Sequence, residues 1–194
     1  MSKNSTKKII LLIILIVGST FLNGCGVISK LRTIFKFGEQ ETFNYGVTAQ
    51  QWLPSILQRA KEWKEDAYFY GITETPVNKD GASDKWIYLF YSPGSEKEAN
   101  IIYEAGFISL KEVSMPPLNS IRNFNIDSPT ALNIAKENGG SIFVQSNQNI
   151  SIIMSLSGPR DGSTPKWLIK FYGDTKTLVY LVDASSGKLI QKSE

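Results

Sequence analysis

The sequence has 194 residues, of which 42% are hydrophobic and 20% are charged, a balance that indicates a folded globular protein and excludes a disordered chain. It contains no histidine and one cysteine, which excludes an internal disulfide and every catalytic or metal site that needs histidine. The net charge of +3 belongs to Lys3, Lys7 and Lys8, and the remaining 18 basic residues balance 18 acidic ones, which argues against a nucleic-acid partner.

Residues 1–24 have the three-part organisation of an export signal. The basic residues come first, the apolar run Ile9–Val17 follows, and Gly18, Ser19 and Thr20 lead toward a cleavage site. The apolar run is shorter than the roughly 20 residues that a membrane-spanning helix needs. The sequence therefore predicts a signal peptide that is removed, and the alternative is an uncleaved signal anchor.

The end of this signal resembles the lipobox of bacterial lipoproteins. Leu22, Asn23 and Gly24 stand where that motif has a branched apolar residue, a variable residue and a small one, and Cys25 follows directly. The resemblance implies that Cys25 is lipidated, with palmitate among the acyl chains, and that the protein is held on the extracytoplasmic face of the cell membrane. Each buried methylene of such a chain contributes about 0.8 kcal/mol, so several chains make a permanent anchor.

The segment 25–44 carries a basic amphipathic pattern close to the anchor. Apolar and basic residues recur at helical spacing, namely Val27, Ile28, Leu31, Ile34 and Phe35 beside Lys30, Arg32 and Lys36. One interpretation is a helix that lies on the anionic membrane surface and reinforces the lipid anchor. The other is a helix that packs on the globular part of the chain.

An internal repeat organises the rest of the sequence. Residues 54–62 reappear as 129–137 with matching Pro, Leu, Ala, Lys and Glu at a constant offset of 75. Further pairs recur at an offset of 81, namely Asp80-Gly81, Lys85-Trp86 and Phe90-Tyr91 as Asp161-Gly162, Lys166-Trp167 and Phe171-Tyr172. Two such runs in the same order predict a duplicated architecture.

The periodicity predicts a helix and then four strands in each copy. The first copy has a helix at 52–64 and strands at 67–74, 86–92, 100–104 and 107–113; the second has a helix that Ser128 caps and Gly139-Gly140 ends, and strands at 150–157, 167–172, 177–183 and 188–192. The predicted fold class is α+β, with two repeated units, each one helix packed on an antiparallel four-stranded meander. The predicted boundaries are a first unit at 45–113, a proline-containing linker at 114–124 and a second unit at 125–194.

The second copy resembles a PepSY domain. A strand that ends in Asp183-Ala184, with Gly187 closing the turn, is similar to the family's final hairpin, and the helix from Ser128-Pro129 fits its opening helix. The first copy, with Glu104-Ala105-Gly106 at the equivalent turn, resembles a diverged member. The resemblance implies an envelope protein that binds or restrains a peptidase, and it brings no catalytic residue and no cofactor.

Carboxylates are the remaining candidates for chemistry. The sets near one another in sequence are Asp80 with Asp84, and Glu62 with Glu65 and Asp66, while Asp161, Asp174 and Asp183 are candidates for calcium. Solvated turns and a charged helix face explain all of them without catalysis or metal. We therefore predict no enzyme, no metal and no cofactor, and keep a carboxylate-dependent hydrolase of envelope material as the alternative.

Aromatic residues suggest a binding surface on the first predicted sheet. The candidates are Tyr68, Tyr70, Trp86, Tyr88 and Phe90, on two strands that we expect to pair. If one sheet face is exposed, such residues would bind a peptide, a glycan or a second protein; the alternative is that both faces are buried. The predicted function is a membrane-anchored extracytoplasmic binding module with a protein or peptide partner, modulating an envelope peptidase or a surface complex.

Overall fold

The computed structural model of the chain describes residues 46–114, 119–122, 124–158 and 163–194. Residues 44–194 form one compact unit. The predicted signal peptide, the lipobox with Cys25 and the amphipathic segment lie outside the described residues, and so do Asp161, Gly162 and the prolines of the predicted linker.

The described elements follow one another along the chain as helices and strands close to the predicted positions. They are α1 (Leu53–Trp63), β1 (Tyr68–Val77), β2 (Lys85–Ser92), β3 (Lys97–Glu104), β4 (Phe107–Val113), α2 (Ser128–Ala135), α3 (Ser141–Gln145), β5 (Ser151–Ser157), β6 (Lys166–Tyr172), β7 (Thr177–Asp183) and β8 (Leu189–Ser193). All eight strands begin and end within three residues of the prediction. Hydrophobic periodicity therefore locates the elements correctly.

The arrangement of the strands contradicts the predicted fold class. All eight strands form a single antiparallel sheet in the order β4-β3-β2-β1-β5-β6-β7-β8, in place of two separate helix-and-meander units. The junction is the pairing of β1 with β5, which runs from Gly71 opposite Ser157 to Val77 opposite Ile152. In two separate four-stranded sheets, β1 and β5 would each be an edge strand whose outward backbone N–H and C=O groups have no partner. Pairing β1 with β5 gives both sets of groups hydrogen-bond partners.

Both longer helices have a proline in their first turn, as the sequence predicts, but the second helix is capped differently. Asp127, and not Ser128, is the N-cap of α2, and its carboxylate accepts a hydrogen bond of 2.7 Å from the Ser128 backbone N–H. The Ser128 hydroxyl instead accepts from the Ala49 N–H at 3.1 Å. The chain also continues beyond the expected stop, through a π turn at Lys136–Gly140, into α3.

One face of the sheet forms the hydrophobic core. Alternate residues of β2 and β6 point into it, including the fully buried Trp86 and Trp167, and α1 and α2 add Ile56 and Leu132. Phe124 packs between the two halves, with its ring centroid 6.2 Å from that of Phe69 and 5.9 Å from that of Trp167. A single cluster therefore crosses the β1–β5 junction.

We predict that Gly71→Ala destabilises the protein by about 1–3 kcal/mol, since overpacking at a close contact costs an amount of this order. A Cβ at Gly71 would lie 2.8 Å from the carbonyl oxygen of Leu156 on β5, so the junction strands would have to move apart. Urea unfolding followed by circular dichroism measures the effect. Ser157→Ala, at the exposed residue opposite Gly71, is the control; equal stability of the two variants would contradict a tight junction.

Candidate functional site

The structure does not expose the predicted aromatic surface. Trp86, Tyr88 and Phe90 lie on the core face of β2 and are at most 1% exposed. Tyr70 is 2% exposed, and Tyr68 is partly exposed. The Tyr88 hydroxyl donates to the Ala49 carbonyl oxygen at 2.8 Å, and burial raises the pKa of Tyr88. Trp86, Tyr88 and Phe90 therefore belong to the core, while Tyr68 keeps part of its side chain accessible.

The opposite side of the sheet is a better candidate, and we call it the open face. Strand register assigns to it a set of partly exposed apolar side chains, namely Ile87, Tyr91, Ile102, Ile153, Leu168, Val179 and Leu181. The helices of the described residues bury their apolar side chains in the core cluster on the other side. The open face therefore keeps apolar surface accessible across strands of both halves.

Small side chains lie where the two halves meet on the open face. Gly71 on β1 pairs with Ser157 on β5, and Ser155 follows on the same side of β5. An ion pair crosses the junction beside them, because the Lys170 ammonium donates to the Glu74 carboxylate, and this hydrogen bond raises the pKa of Lys170. The centre of the open face thus combines small side chains with an ion pair.

One end of the open face contains a buried carboxylate. Glu98 on β3 is 6% exposed, and its Oε2 atom has no hydrogen-bond partner among the described residues. The same holds for the Tyr70 hydroxyl and for Asn100 Oδ1. Burial raises the pKa of Tyr70 to about 12, and the nearby Glu98 carboxylate adds to this shift through its charge and through a hydrogen bond with the hydroxyl that falls outside strict hydrogen-bond geometry. Unsatisfied buried oxygens are uncommon, and each calls for a reason.

The outer edge of β4 borders this end of the sheet. Ala105 and Gly106 both have positive φ, 48° and 91°, as a two-residue hairpin turn requires. Glu104 and Phe107 then exchange backbone hydrogen bonds, and by alternation Ile108, Leu110 and Glu112 direct their N–H and C=O groups away from β3. The edge of β8 is shorter, with five residues and a register shift. Strand β4 is therefore the more regular edge of the described sheet.

The carboxylates that the sequence suggested for catalysis or calcium serve the fold where the structure describes them. Three of them accept hydrogen bonds that hold turns: Asp66 from Ser92 Oγ at 2.6 Å, Asp174 from Asn149 Nδ2 at 2.9 Å, and Asp183 from the Ser186 N–H at 2.8 Å. Hydrogen bonding lowers the pKa of Asp66 and of Asp174.

The other candidate pairs do not form a shared acidic centre. Asp80 lines a depression with Lys79 and Lys136, whereas Asp84 lines a different one with Lys85. Glu62 forms an ion pair of 3.4 Å with Arg59 on the exposed side of α1, and Glu65 is exposed. No cluster of three or more metal-ligating side chains occurs in the described part of the chain.

Comparison with known proteins gives one structural likeness. No family model matches the sequence, and no curated protein is similar to it. The fold is similar to the crystal structure of a candidate lipoprotein from Clostridium difficile 630, with 13% identity and a TM-score of 0.49 over 73% of this chain and 91% of that one. No activity or partner is transferred at this level of similarity. None of the helices in the described ranges is long and apolar enough to cross a membrane.

Sequence reasoning missed Glu98 and Asn100. They alternate with Ala99 and Ile101 along β3, so the period of two assigns them to the face opposite the core. That pattern normally indicates solvated residues, and the sequence offers no sign that Glu98 is buried. Its burial depends on neighbouring strands.

We predict that Asp183 contributes about 1 kcal/mol of stability at neutral pH, after discounting for solvent screening. Partial burial acts to raise its pKa, but hydrogen bonds from Thr164, Ser185 and Ser186 outweigh it and lower the pKa of Asp183 to about 2. Because an unfolded aspartate has a pKa of about 3.9, this stability is present above about pH 4 and is lost as the pH falls toward 2.

Urea unfolding of the wild-type protein and of Asp183→Asn between pH 2 and 7 measures this contribution. The difference in stability should be largest at neutral pH and should vanish near pH 2. Asp84→Asn, at an exposed aspartate, is the control. A difference that stays constant over the whole range would contradict the assignment.

Proposed function

We propose that this protein is a lipid-anchored extracytoplasmic binding module that holds a protein or peptide partner on the open face. The observation that carries the proposal is the set of partly exposed apolar side chains on the side of the sheet opposite the helices. Apolar side chains that stay exposed together on one face can mark interaction sites on soluble domains. The partner's apolar side chains would cover it and gain the free energy of burial.

The dimensions of the open face suit a macromolecular partner. Neighbouring strands lie about 4.8 Å apart, so eight strands span roughly 34 Å. The depressions found among the described residues are lined mainly by turn and strand-end residues and lie away from Leu168 and Ile102. A folded domain or a peptide segment fits such a surface better than a metabolite does.

The β4 edge offers a second mode of contact beside the open face. The outward backbone groups of Ile108, Leu110 and Glu112 can hydrogen-bond an extended segment of a partner, which would add a strand to the sheet. Phe107, 78% exposed at the start of β4, would supply apolar contact next to that strand. Together these features favour a partner with an extended stretch of chain.

Binding accounts for the described residues better than catalysis does. The carboxylates that a hydrolase would need hold turns, or lie apart from one another, as at Asp66, Asp183, Asp80 and Asp84. We therefore propose no catalytic step. The PepSY resemblance of the second half makes an envelope peptidase or a surface complex the first class of partner to examine.

We expect Cys25→Ser to release the protein from the membrane, since the lipid on Cys25 is the proposed anchor. Labelled palmitate should be incorporated by the wild-type protein and lost in the variant, and fractionation should move the variant to the soluble fraction. Ser29→Ala, four residues further on, is the control and should stay on the membrane. Membrane retention of Cys25→Ser would contradict the lipid anchor.

We predict that Leu168→Gln weakens partner binding at least tenfold. Replacing an apolar side chain at an interface centre by a polar one of similar size costs on the order of 2 kcal/mol. The measurement is chemical crosslinking of the full-length lipidated protein in its own envelope, with thermal unfolding as a check on folding.

Ile142→Gln is the matched control, because Ile142 is a similarly apolar residue, 70% exposed, on α3 at the helical side. Its crosslinking pattern should equal that of the wild-type protein. Unchanged crosslinking of Leu168→Gln would exclude the open face as the binding surface. Turnover of an envelope substrate by the purified protein would replace the binding proposal with the hydrolase.

A further inference from the structure

The outward backbone groups of the edge strand β4 are symmetric about one residue. Ile108, Leu110 and Glu112 direct their N–H and C=O groups away from β3, because the groups of the residues that alternate with them bond to β3. No other described strand pairs with this side of β4. Leu110 is the middle residue of the seven in the strand, so a half-turn about Leu110 exchanges the positions of Ile108 and Glu112.

We propose that this edge binds the same edge of a second copy of the chain, in an antiparallel pair centred on Leu110. In that register Leu110 lies opposite Leu110 of the second copy, and Ile108 lies opposite Glu112 of the second copy. Each of these pairs exchanges two hydrogen bonds, so about six bonds satisfy the outward groups of both strands. The inference rests on the strand addition proposed for this edge, and it names the strand that is added.

The side chains on the helical side of β4 suit this register. By alternation Ile108 and Leu110 lie on the same side of the sheet as the buried Tyr103 and Ile101. Both pack against the core but remain partly exposed at the edge. In the pair, the two leucines meet at the symmetry axis with an isoleucine on either side of them. The apolar core then continues from one copy into the other.

The charges along β4 are compatible with the same register. Glu112 would lie opposite an isoleucine, and its carboxylate already has partners in its own copy: Trp63 Nε1 donates to Oε1 at 2.9 Å, and Lys97 pairs with Oε2 at 2.9 Å. On the open face, Lys111 would lie opposite Ser109 of the second copy. Like charges directly opposite each other destabilise paired strands, and this register has none.

The register also gives Phe107 an apolar neighbour. Phe107 is 78% exposed at the start of β4, and the partly exposed Val113 lies on the same face at its end. Pairing centred on Leu110 brings Phe107 opposite Val113 of the second copy at both ends of the ladder. Antiparallel pairing keeps the alternation of side chains, so the open faces of the two copies lie on the same side of one continuous sheet.

Association through one strand from each copy is expected to be weaker than association through a standard interface, which buries roughly 1,600 Å². Anchoring of both copies in one membrane raises their effective concentration. The pair is therefore expected on the membrane, and the test uses the anchored protein.

Disulfide trapping of the full-length lipidated protein in its own envelope tests the inference. Leu110→Cys should form an intermolecular disulfide on mild oxidation, because opposed Cα atoms of a hydrogen-bonded pair lie about 5.5 Å apart, within the roughly 4.4–6.8 Å that a disulfide spans. Ile108→Cys, at a similarly apolar and partly exposed residue, is the matched control and should not link, since the two copies of residue 108 would lie about 14 Å apart. Non-reducing electrophoresis measures the dimer, and the wild-type protein, whose one cysteine is Cys25, sets the background.

Exposed positions give the same test without a change in the core. A mixture of Ser109→Cys and Lys111→Cys copies should link at least about threefold more than either variant alone, because the register places these residues opposite each other. This mixture decides the question if Leu110→Cys unfolds at a lower temperature than the wild-type protein.

The outcomes separate this inference from the proposed function. Linking of Leu110→Cys that does not exceed that of Ile108→Cys, in a folded protein, would overturn the pairing, and so would a mixture that links no more than its components. Linkage of these cysteines to a different protein would keep the strand addition at β4 and overturn the second copy as its source. In each case Leu168→Gln still tests the open face independently, because Leu168 lies beyond the β1–β5 junction from β4.

Discussion

The antiparallel pairing of β1 with β5 is the constraint on which the rest of the structure depends. It joins two four-stranded halves, so that strands distant in sequence share one ladder from Gly71 opposite Ser157 to Val77 opposite Ile152. Because both central strands are paired, only β4 and β8 remain at the edges. The same pairing lets one hydrophobic cluster run through both halves, with Phe124 packed across the junction.

A sheet with one buried face leaves its other face for function. The helices place their apolar residues on the side of Trp86 and Trp167, and the period of two then sends Ile102 and Leu168 to the opposite side. Aromatic residues that looked suited to binding are therefore needed for folding, as at Tyr88. The accessible apolar surface consists mainly of aliphatic side chains on the alternate positions of the same strands.

The carboxylates of the described residues differ in whether the fold supplies them with hydrogen-bond donors. Some hydrogen-bonded carboxylates, such as Asp66 and Asp183, hold turns between elements, and their lowered pKa values reflect donors that are already in place. Glu98 differs, because it is buried among residues that offer it no cation. Unsatisfied buried oxygens are uncommon in folded proteins, and Glu98 Oε2 is one of them among the described residues.

The sequence by itself determined the positions of α1, α2 and all eight strands, because periodicity, prolines and turn residues are local signals. It did not predict α3, which lies beyond Gly139. It also predicted Ser128 as the N-cap of α2, whereas the N-cap is Asp127. Only the tertiary structure decided that the halves share one sheet, which face is buried, and that Glu98 is buried without an ion pair to another described residue. The pairing of distant strands depends on burial and hydrogen bonding across the whole fold, and local sequence patterns do not predict it.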